Sequence, residues 1–156
     1  MKFALVLSVV TALLCGSVTA ATPVLTGRWG DTRVPEQLAY KYASKQNQAL
    51  VVVTFSTKCP LVRRLVPNLN ELQKQYDAAG IQFIALFTNG NDELSKIAEY
   101  ALDNELMFPV FKDDEANPWH EELGLTTTPQ VIVLDTREGF DQSKVCLLYT
   151  SPSPRD

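Results

Sequence analysis

The chain has 156 residues, and its 18 acidic and 14 basic side chains give a formal net charge of −4. This acidic balance argues against nucleic acid or an anionic membrane surface as a partner, since both attract basic proteins. The length suits one domain that buries a hydrophobic core without disulfides.

The first twenty residues have the pattern of a secretory signal peptide. Lys2 supplies a positive charge, residues 3–15 are almost entirely apolar, and Val18-Thr19-Ala20 precedes the expected cleavage site. A membrane-spanning helix would need about 20 apolar residues, more than this stretch contains. We therefore expect a cleaved signal peptide over 1–20, a periplasmic or secreted protein, and no membrane insertion after cleavage.

A helix and a strand are predicted at the start of the domain. Val34, Leu38 and Tyr42 recur every four residues and predict an amphipathic helix that fades near Lys45. The apolar, β-branched run over residues 49–55 is typical of a strand buried on both faces.

A long helix is predicted over residues 60–79. Pro60 stands at its first position and Gly80 at its C-terminal cap. One face carries a row of apolar side chains, as in a helix packed on a core, namely Leu61, Leu65, Leu69, Leu72 and Tyr76.

Strands and helices alternate over the rest of the domain. Asn91 or Asp92 is expected to cap a second helix, and Asn117 with Pro118 to begin a third. The remaining elements are a buried strand, a helix, a short strand, a short helix and a last strand, predicted over 81–87, 94–101, 108–111, 118–123 and 130–135. This order predicts an α/β layer structure with a largely parallel sheet.

The C-terminal segment looks foreign to this domain. Residues 146–156 closely resemble one reading frame of a sequencing-library adapter, and a Ser/Pro-rich disordered tail is the alternative interpretation. We expect a domain over 21–145 that is incomplete at its C-terminus, followed by read-through sequence that is not native.

Cysteine usage points to one candidate nucleophile. Cys15 lies in the predicted signal peptide and Cys146 in the predicted read-through, which leaves Cys59 as the domain's one cysteine. Cysteines of exported proteins are usually paired. An unpaired one is therefore either an inert buried thiol or a reactive one.

The position of Cys59 favours a reactive thiol. It follows a buried strand and directly precedes the helix that Pro60 begins, where free N–H groups and the helix dipole favour a thiolate. Lys58, Arg63 and Arg64 add positive charge within a turn or two. Such surroundings lower the pKa of a cysteine and make it a nucleophile at neutral pH.

The segment around Cys59 resembles the active-site region of the thioredoxin superfamily. Residues 49–62 resemble its strand, turn and active-site loop, and Pro67 lies where thioredoxins carry a proline in the active-site helix. Thr128-Pro129 resembles the cis-proline pair that packs against the reactive cysteine. The long separation between Cys59 and Pro129 is similar to that of the redoxin group, which includes alkyl hydroperoxide reductase and thiol-specific antioxidant proteins.

This resemblance covers roughly residues 48–135. Over this range the chain looks like a member of an exported bacterial redoxin-domain subfamily. It implies a thioredoxin-like three-layer α/β/α fold, with a central mixed, largely parallel sheet and a redoxin-type insertion between the active-site helix and the cis-proline. It further implies that Cys59 attacks a disulfide or is oxidised, while Pro60, Thr128 and Pro129 shape the substrate-binding edge. The partners would be protein thiols or disulfides, or a small peroxide, and no organic cofactor is implied.

Two departures from the family motifs keep the activity open. Thioredoxins place a second cysteine at the position of Val62, so an oxidised Cys59 must here be resolved by another thiol. We expect an external reductant to supply it, and a cysteine in native sequence beyond Val145 is the alternative. Peroxiredoxins carry the motif Pro-x-x-x-Thr-x-x-Cys. In this chain Val52 stands at the proline position and Ser56 at the threonine position, so only a hydroxyl is retained. The Ser56 hydroxyl is a further candidate for stabilising the thiolate. We therefore expect thiol–disulfide exchange; the alternatives are a peroxiredoxin-like peroxidase and a non-catalytic thioredoxin-fold binding module.

A metal site is not predicted. Cys59 and the single histidine, His120, are too few and too distant for zinc or copper, and His120 is expected to be a surface or packing residue. The acidic run over 113–115 lacks the alternating spacing of a calcium loop and is interpreted as a solvated turn.

Overall fold

The buried strand segments form the centre of a mixed, seven-stranded sheet in the computed structural model, which describes residues 22–41, 45–141 and 144–150. The predicted signal peptide and residues 151–156 lie outside the described residues. The helices are α1, α2 and α3, at Pro60–Asp77, Leu94–Asp103 and Trp119–Glu122, and a 3-10 helix covers Pro35–Ala39. The strands β1 to β9 are Leu25–Gly27, Thr32–Arg33, Tyr40–Lys41, Lys45–Gln46, Ala49–Phe55, Ile81–Phe87, Val110–Lys112, Gln130–Asp135 and Val145–Thr150.

The sheet has the strand order β2-β1-β7-β6-β5-β8-β9, and β3 pairs with β4 in a separate hairpin. Strands β5, β6 and β7 are parallel, while the strands on either side of them pair antiparallel. The register pairs Phe55 with Phe87, so β5 and β6 end together and the loops that follow them share one edge of the sheet.

Alternate side chains of the central strands enter two separate hydrophobic clusters. Val53 and Phe55 pack with α1 and α2 on one face, whereas Val52 packs with Trp119 and Leu38 on the other. This alternation follows from the two-residue period of a strand. Helices therefore cover both faces, which confirms the three-layer architecture, and α2 with β7 forms the insertion expected before Pro129.

The helix predicted from the spacing of Val34, Leu38 and Tyr42 is wrong. A 3-10 helix ends at Ala39, and the chain continues into the β3–β4 hairpin. Asn47 closes this segment, because its backbone N–H donates to the Ala39 carbonyl at 2.8 Å and its side chain donates to the Leu38 carbonyl. A short apolar pattern does not offset the cost of nucleating an α-helix when tertiary bonds compete for its carbonyls.

Helix α1 packs through a different face from the one its leucines predict. Its buried residues include Val62, Val66 and Leu69, whereas most of the predicted row is 37–46% exposed, namely Leu61, Leu65, Leu72 and Tyr76. The valine face lies at the same helical spacing, one position further along. In the described part of the chain, no helix is long and apolar enough to cross a membrane.

Two boundaries differ from the sequence expectation. The strand predicted over 108–111 begins at Val110, because Phe108 instead packs in the aromatic cluster under α1. Residues 145–150, most of them in the predicted read-through, form β9, which pairs with β8 from Leu134 to Gln130. Pairing of this kind covers the backbone groups of β8 that an open edge would expose. The origin of 146–156 stays a prediction.

The loop after α2 contains a strained residue. Glu105 has φ +52°, in the left-handed region that disfavours residues with a Cβ atom. Asn70 of α1 holds this loop, since its side chain donates to the Glu105 carbonyl at 2.9 Å and accepts from the Met107 N–H at 3.1 Å.

We predict that Glu105→Gly stabilises the protein by about 0.5–1 kcal/mol, because glycine removes this strain. Glycine also keeps the backbone bonds of this position, from its N–H to the Leu102 carbonyl and from Asn70 to its own carbonyl. Urea unfolding at 25 °C measures the change. The control is Gln75→Gly at an exposed position of α1, which should destabilise by about 0.5–1 kcal/mol. A loss of stability at both positions would contradict the prediction.

Candidate active site

Cys59 lies at the point where the sheet edge meets the start of α1. It is the N-cap residue, with φ −87° and ψ 110°, and Pro60 occupies the first helical position. Its backbone N–H donates to the Ser56 carbonyl at 3.1 Å, which closes the turn between β5 and α1. The thiol is free and partly exposed, so a strand end, a tight turn and a proline together present one sulfur at a helix N-terminus.

The loop before β8 faces this sulfur. The Cys59 Sγ–H group donates to the Thr128 carbonyl at 3.6 Å, and the Thr128–Pro129 peptide bond is cis, as the resemblance implies. Pro129 is buried, whereas Thr128 is half-buried. The structure therefore brings together four of the predicted site residues, namely Cys59, Pro60, Thr128 and Pro129.

Two buried polar side chains hold the backbone of that loop. Gln130 Oε1 accepts from the N–H groups of Thr126 and Thr127, at 2.6 and 2.7 Å. The Thr54 hydroxyl donates to the Thr127 carbonyl at 2.8 Å and accepts from the Gln130 N–H at 2.8 Å. The loop opposite Cys59 is thus tied to β5 as well as to β8.

Asp92 holds the turn on the other side of Cys59. Its buried carboxylate accepts from the Thr57 N–H at 3.0 Å and from the Thr57 hydroxyl at 2.5 Å. The prediction that Asn91 or Asp92 caps α2 is wrong, because Glu93 is the N-cap residue and makes no side-chain capping bond. Asp92 instead accepts a hydrogen bond from the backbone N–H of Thr57, in the turn that follows β5 at the same edge of the sheet.

The predicted cations have different surroundings. Lys58, Arg63 and Arg64 are all exposed, and Lys58 with Arg63 lines a cavity of about 640 Å³ between α1 and α2. Arg64 does not line this cavity. The Arg63 guanidinium lies over the ring of Tyr100, with Cζ 5.7 Å from the ring centroid. Two of the three cations therefore share the side of α1 that faces α2.

Tyr100 has a buried hydroxyl group and lies beside Arg63. Burial raises the pKa of Tyr100, and the neighbouring Arg63 lowers it in part. Within the described ranges its hydroxyl oxygen makes no hydrogen bond of normal geometry. Its ring packs edge-on against Phe55 and Phe87, the last residues of β5 and β6.

Ser56 contributes to the turn and is not bonded to the sulfur. Its hydroxyl accepts from the Lys58 N–H at 3.3 Å, so the oxygen helps to shape the residues before Cys59. The serine at the position of the peroxiredoxin threonine is thus engaged with backbone in this structure.

The solvated turn predicted for the acidic run over 113–115 is wrong for Asp113, whereas Asp114 is half-buried and Glu115 is exposed. Asp113 is buried and accepts from the N–H groups of Trp119 and His120, which begin α3. It also accepts from His120 Nδ1 at 2.6 Å, so the histidine is held by this carboxylate. Asn117 is not the cap, since Pro118 is the N-cap residue. Among the described residues, no group of three or more His, Cys, Asp and Glu side chains is placed to hold a metal ion.

Three of the residues that shape the site were not expected from the sequence, namely Thr54, Asp92 and Gln130. A signal exists for two of them. Thr54 interrupts an otherwise apolar strand, and Gln130 begins a strand directly after Pro129, so each must bond to something once buried. No local signal links Asp92 to Thr57, because the contact spans 35 residues.

Comparison with known proteins agrees with this architecture. The family model described as AhpC/TSA family matches residues 31–140. No curated protein sequence is similar enough to match the chain.

Solved structures provide three similar folds. A candidate thiol:disulfide interchange protein DsbE from Chlorobium tepidum is 18% identical, with a TM-score of 0.65 and coverage of 84% of this chain and 82% of that one. A secreted Mycobacterium tuberculosis disulfide oxidoreductase homologous to E. coli DsbE is 14% identical, with a TM-score of 0.62 and coverage of 83% and 84%. A hypothetical protein from Sinorhizobium meliloti is 20% identical, with a TM-score of 0.62; 81% of this chain spans 64% of its length. At these identities the likeness shows a shared fold, the thioredoxin-like one.

We predict that Asp92→Ala destabilises the protein by about 2–3 kcal/mol, because it leaves the part-buried Thr57 N–H without its charged acceptor. Thr57→Ala should cost less, about 1 kcal/mol, since it removes one of the two bonds and leaves the other. Urea unfolding of both variants measures the difference. Equal losses of stability in the two variants would mean that the hydrogen bond from the Thr57 N–H to Asp92 does not contribute to stability.

Proposed function

Because the chain belongs to the AhpC/TSA family, we propose that it is a thiol–disulfide oxidoreductase that acts through one reactive cysteine, Cys59. The observation that carries this proposal is the placement of a free, partly exposed sulfur at the start of α1, 3.6 Å from the Thr128 carbonyl beside a cis-proline. A thiolate at a helix N-terminus is stabilised by free N–H groups, and the facing loop supplies a backbone edge for an extended substrate.

The first step is nucleophilic exchange. The Cys59 thiolate attacks one sulfur of a substrate disulfide, a new S–S bond forms, and the second substrate sulfur leaves as a thiolate. The electron pair of the broken S–S bond leaves with that sulfur. The product is a mixed disulfide between Cys59 and the substrate.

The second step needs a thiol from outside the site. Val62 occupies the position of a second active-site cysteine and is fully buried in the core under α1. An external thiolate therefore attacks the mixed disulfide, takes the substrate sulfur into a new disulfide, and releases Cys59 as thiolate. The proposed partners are thus a protein disulfide or thiol and a thiol reductant.

The proposed compartment is extracytoplasmic. The signal-peptide pattern over 1–20 supports export, and one protein of similar fold is described as secreted. An oxidising compartment also supplies the disulfides on which such a thiol acts.

We predict that Cys59→Ser abolishes reaction with a disulfide-containing peptide, because it removes the attacking sulfur. Mass spectrometry of the trapped mixed disulfide measures the reaction, and Cys146→Ser, at the other described free cysteine, should retain it. Rapid peroxide consumption with sulfenic acid on Cys59, and slow peptide exchange, would instead establish a peroxidase. A protein that does neither would be a non-catalytic binding module.

We predict that Arg63→Gln slows alkylation of Cys59 by iodoacetamide at pH 7 about two- to fivefold, the size expected for loss of one exposed charge near a thiolate. Arg64→Gln is the matched control, because Arg64 lies outside the cavity between α1 and α2 and should leave the rate unchanged. High salt should reduce the Arg63 effect. Equal effects of the two substitutions would show that position on α1 does not matter.

A further inference from the structure

The loop opposite Cys59, residues 126–129, is held by side chains that the exchange reaction itself does not use. Its two fixed points are Gln130, the first residue of β8, and Thr54, the sixth residue of β5. Both are at least 97% buried. Buried polar groups cost free energy unless they are bonded, so their partners explain why they are there.

Both partners of the Gln130 side-chain oxygen lie in this loop. Oε1 accepts two short hydrogen bonds, from the N–H groups of Thr126 and Thr127. Only an oxygen can accept from two N–H groups, so the geometry also decides which way the side-chain amide points.

The Thr54 hydroxyl joins the two ends of the same loop. It donates to the Thr127 carbonyl and accepts from the Gln130 N–H, each at 2.8 Å. One side of the Thr127 residue is thus bound by Gln130 and the other by Thr54. The next carbonyl in the chain, that of Thr128, is the one that meets the sulfur of Cys59.

We propose that Gln130 and Thr54 are positioning residues for the Cys59 reaction, which fix the Thr128 backbone at the distance and orientation that an extended disulfide substrate requires. This inference rests on the proposed thiol–disulfide exchange. Neither residue touches the reacting sulfurs; each acts through the loop. The β5–β8 pairing runs from Ala49 to Val53, so the bonds of the Thr54 hydroxyl lie beyond this ladder, at the loop.

Positioning predicts an effect that depends on the reagent. An extended peptide must align on the Thr128 backbone before its disulfide reaches Cys59, whereas iodoacetamide needs only an accessible thiolate. A displacement of about 1 Å in a positioning group can lower a rate about 100-fold. If Gln130 and Thr54 contributed only to stability, the folded variants would react with both reagents as fast as the unsubstituted protein.

The test uses Gln130→Met and Thr54→Val, which keep side-chain size but remove the acceptor and the hydroxyl. Stopped-flow rates are measured with a disulfide-containing extended peptide and with iodoacetamide, and thermal unfolding verifies that each variant is folded. Ile132→Val, which trims a buried apolar side chain of β8, is the control for a core change on the same strand. Because Thr54→Val alters a different strand, it tests the proposal even where Gln130→Met fails to fold.

We expect both variants to lose about 10- to 100-fold in the peptide rate and to change by less than about threefold in the iodoacetamide rate. Thr54→Ser, which retains the hydroxyl, should keep most of the peptide rate, and Ile132→Val should leave both rates unchanged. Unaltered peptide rates in the two variants, or equal losses with both reagents, would overturn the inference. If the unsubstituted protein itself does not react with the peptide at Cys59, the proposed function fails instead.

Discussion

The contact between the Cys59 sulfur and the Thr128 carbonyl is the interaction on which the site depends. It joins two segments 69 residues apart, and it exists because β5 and β8 are antiparallel neighbours. In that arrangement the C-terminal end of β5 and the start of β8 lie at the same edge of the sheet. The turn into α1 and the loop before β8 must therefore face each other. A shift of the β5–β8 register by one residue would move the Cys59 sulfur and the Thr128 carbonyl apart along the strand direction.

Buried polar side chains set the positions of both segments. Asp92 binds the turn before Cys59, while Thr54 and Gln130 bind the loop that faces it. Each would destabilise the core without its partners, and most of these partners are backbone groups of the turn and the loop on either side of the sulfur. Such anchoring is what a reaction that needs defined geometry requires.

The surroundings of Cys59 are asymmetric. On one side the thiol meets the loop with the cis-proline, through the carbonyl of Thr128. On the other side, Arg63 and Lys58 bring positive charge towards the gap between α1 and α2, with Tyr100 buried beneath. Below the sulfur, the fully buried Val62 excludes an internal resolving thiol at that position. In the exchange that we propose, the resolving thiol therefore comes from elsewhere than this helix position.

The sequence by itself determined the elements that rest on local patterns. The apolar runs of β5, β6 and β8 predict buried strands, and Cys59-Pro60 predicts a thiol at a helix start, because these signals lie within a few residues. The predictions of a helix near Val34 and of the buried face of α1 were wrong, since both features depend on what packs against the segment. The bonds of Asp92 and Thr54 were likewise decided by the tertiary structure, because they join residues 35 and 73 positions apart that only the sheet and its loops bring together. Asp113 and Gln130 bond to backbone groups three to seven residues away, so their bonds depend on the local turn that the chain adopts. A buried polar group is predictable as a demand for a partner, but the partner's identity is a property of the folded chain.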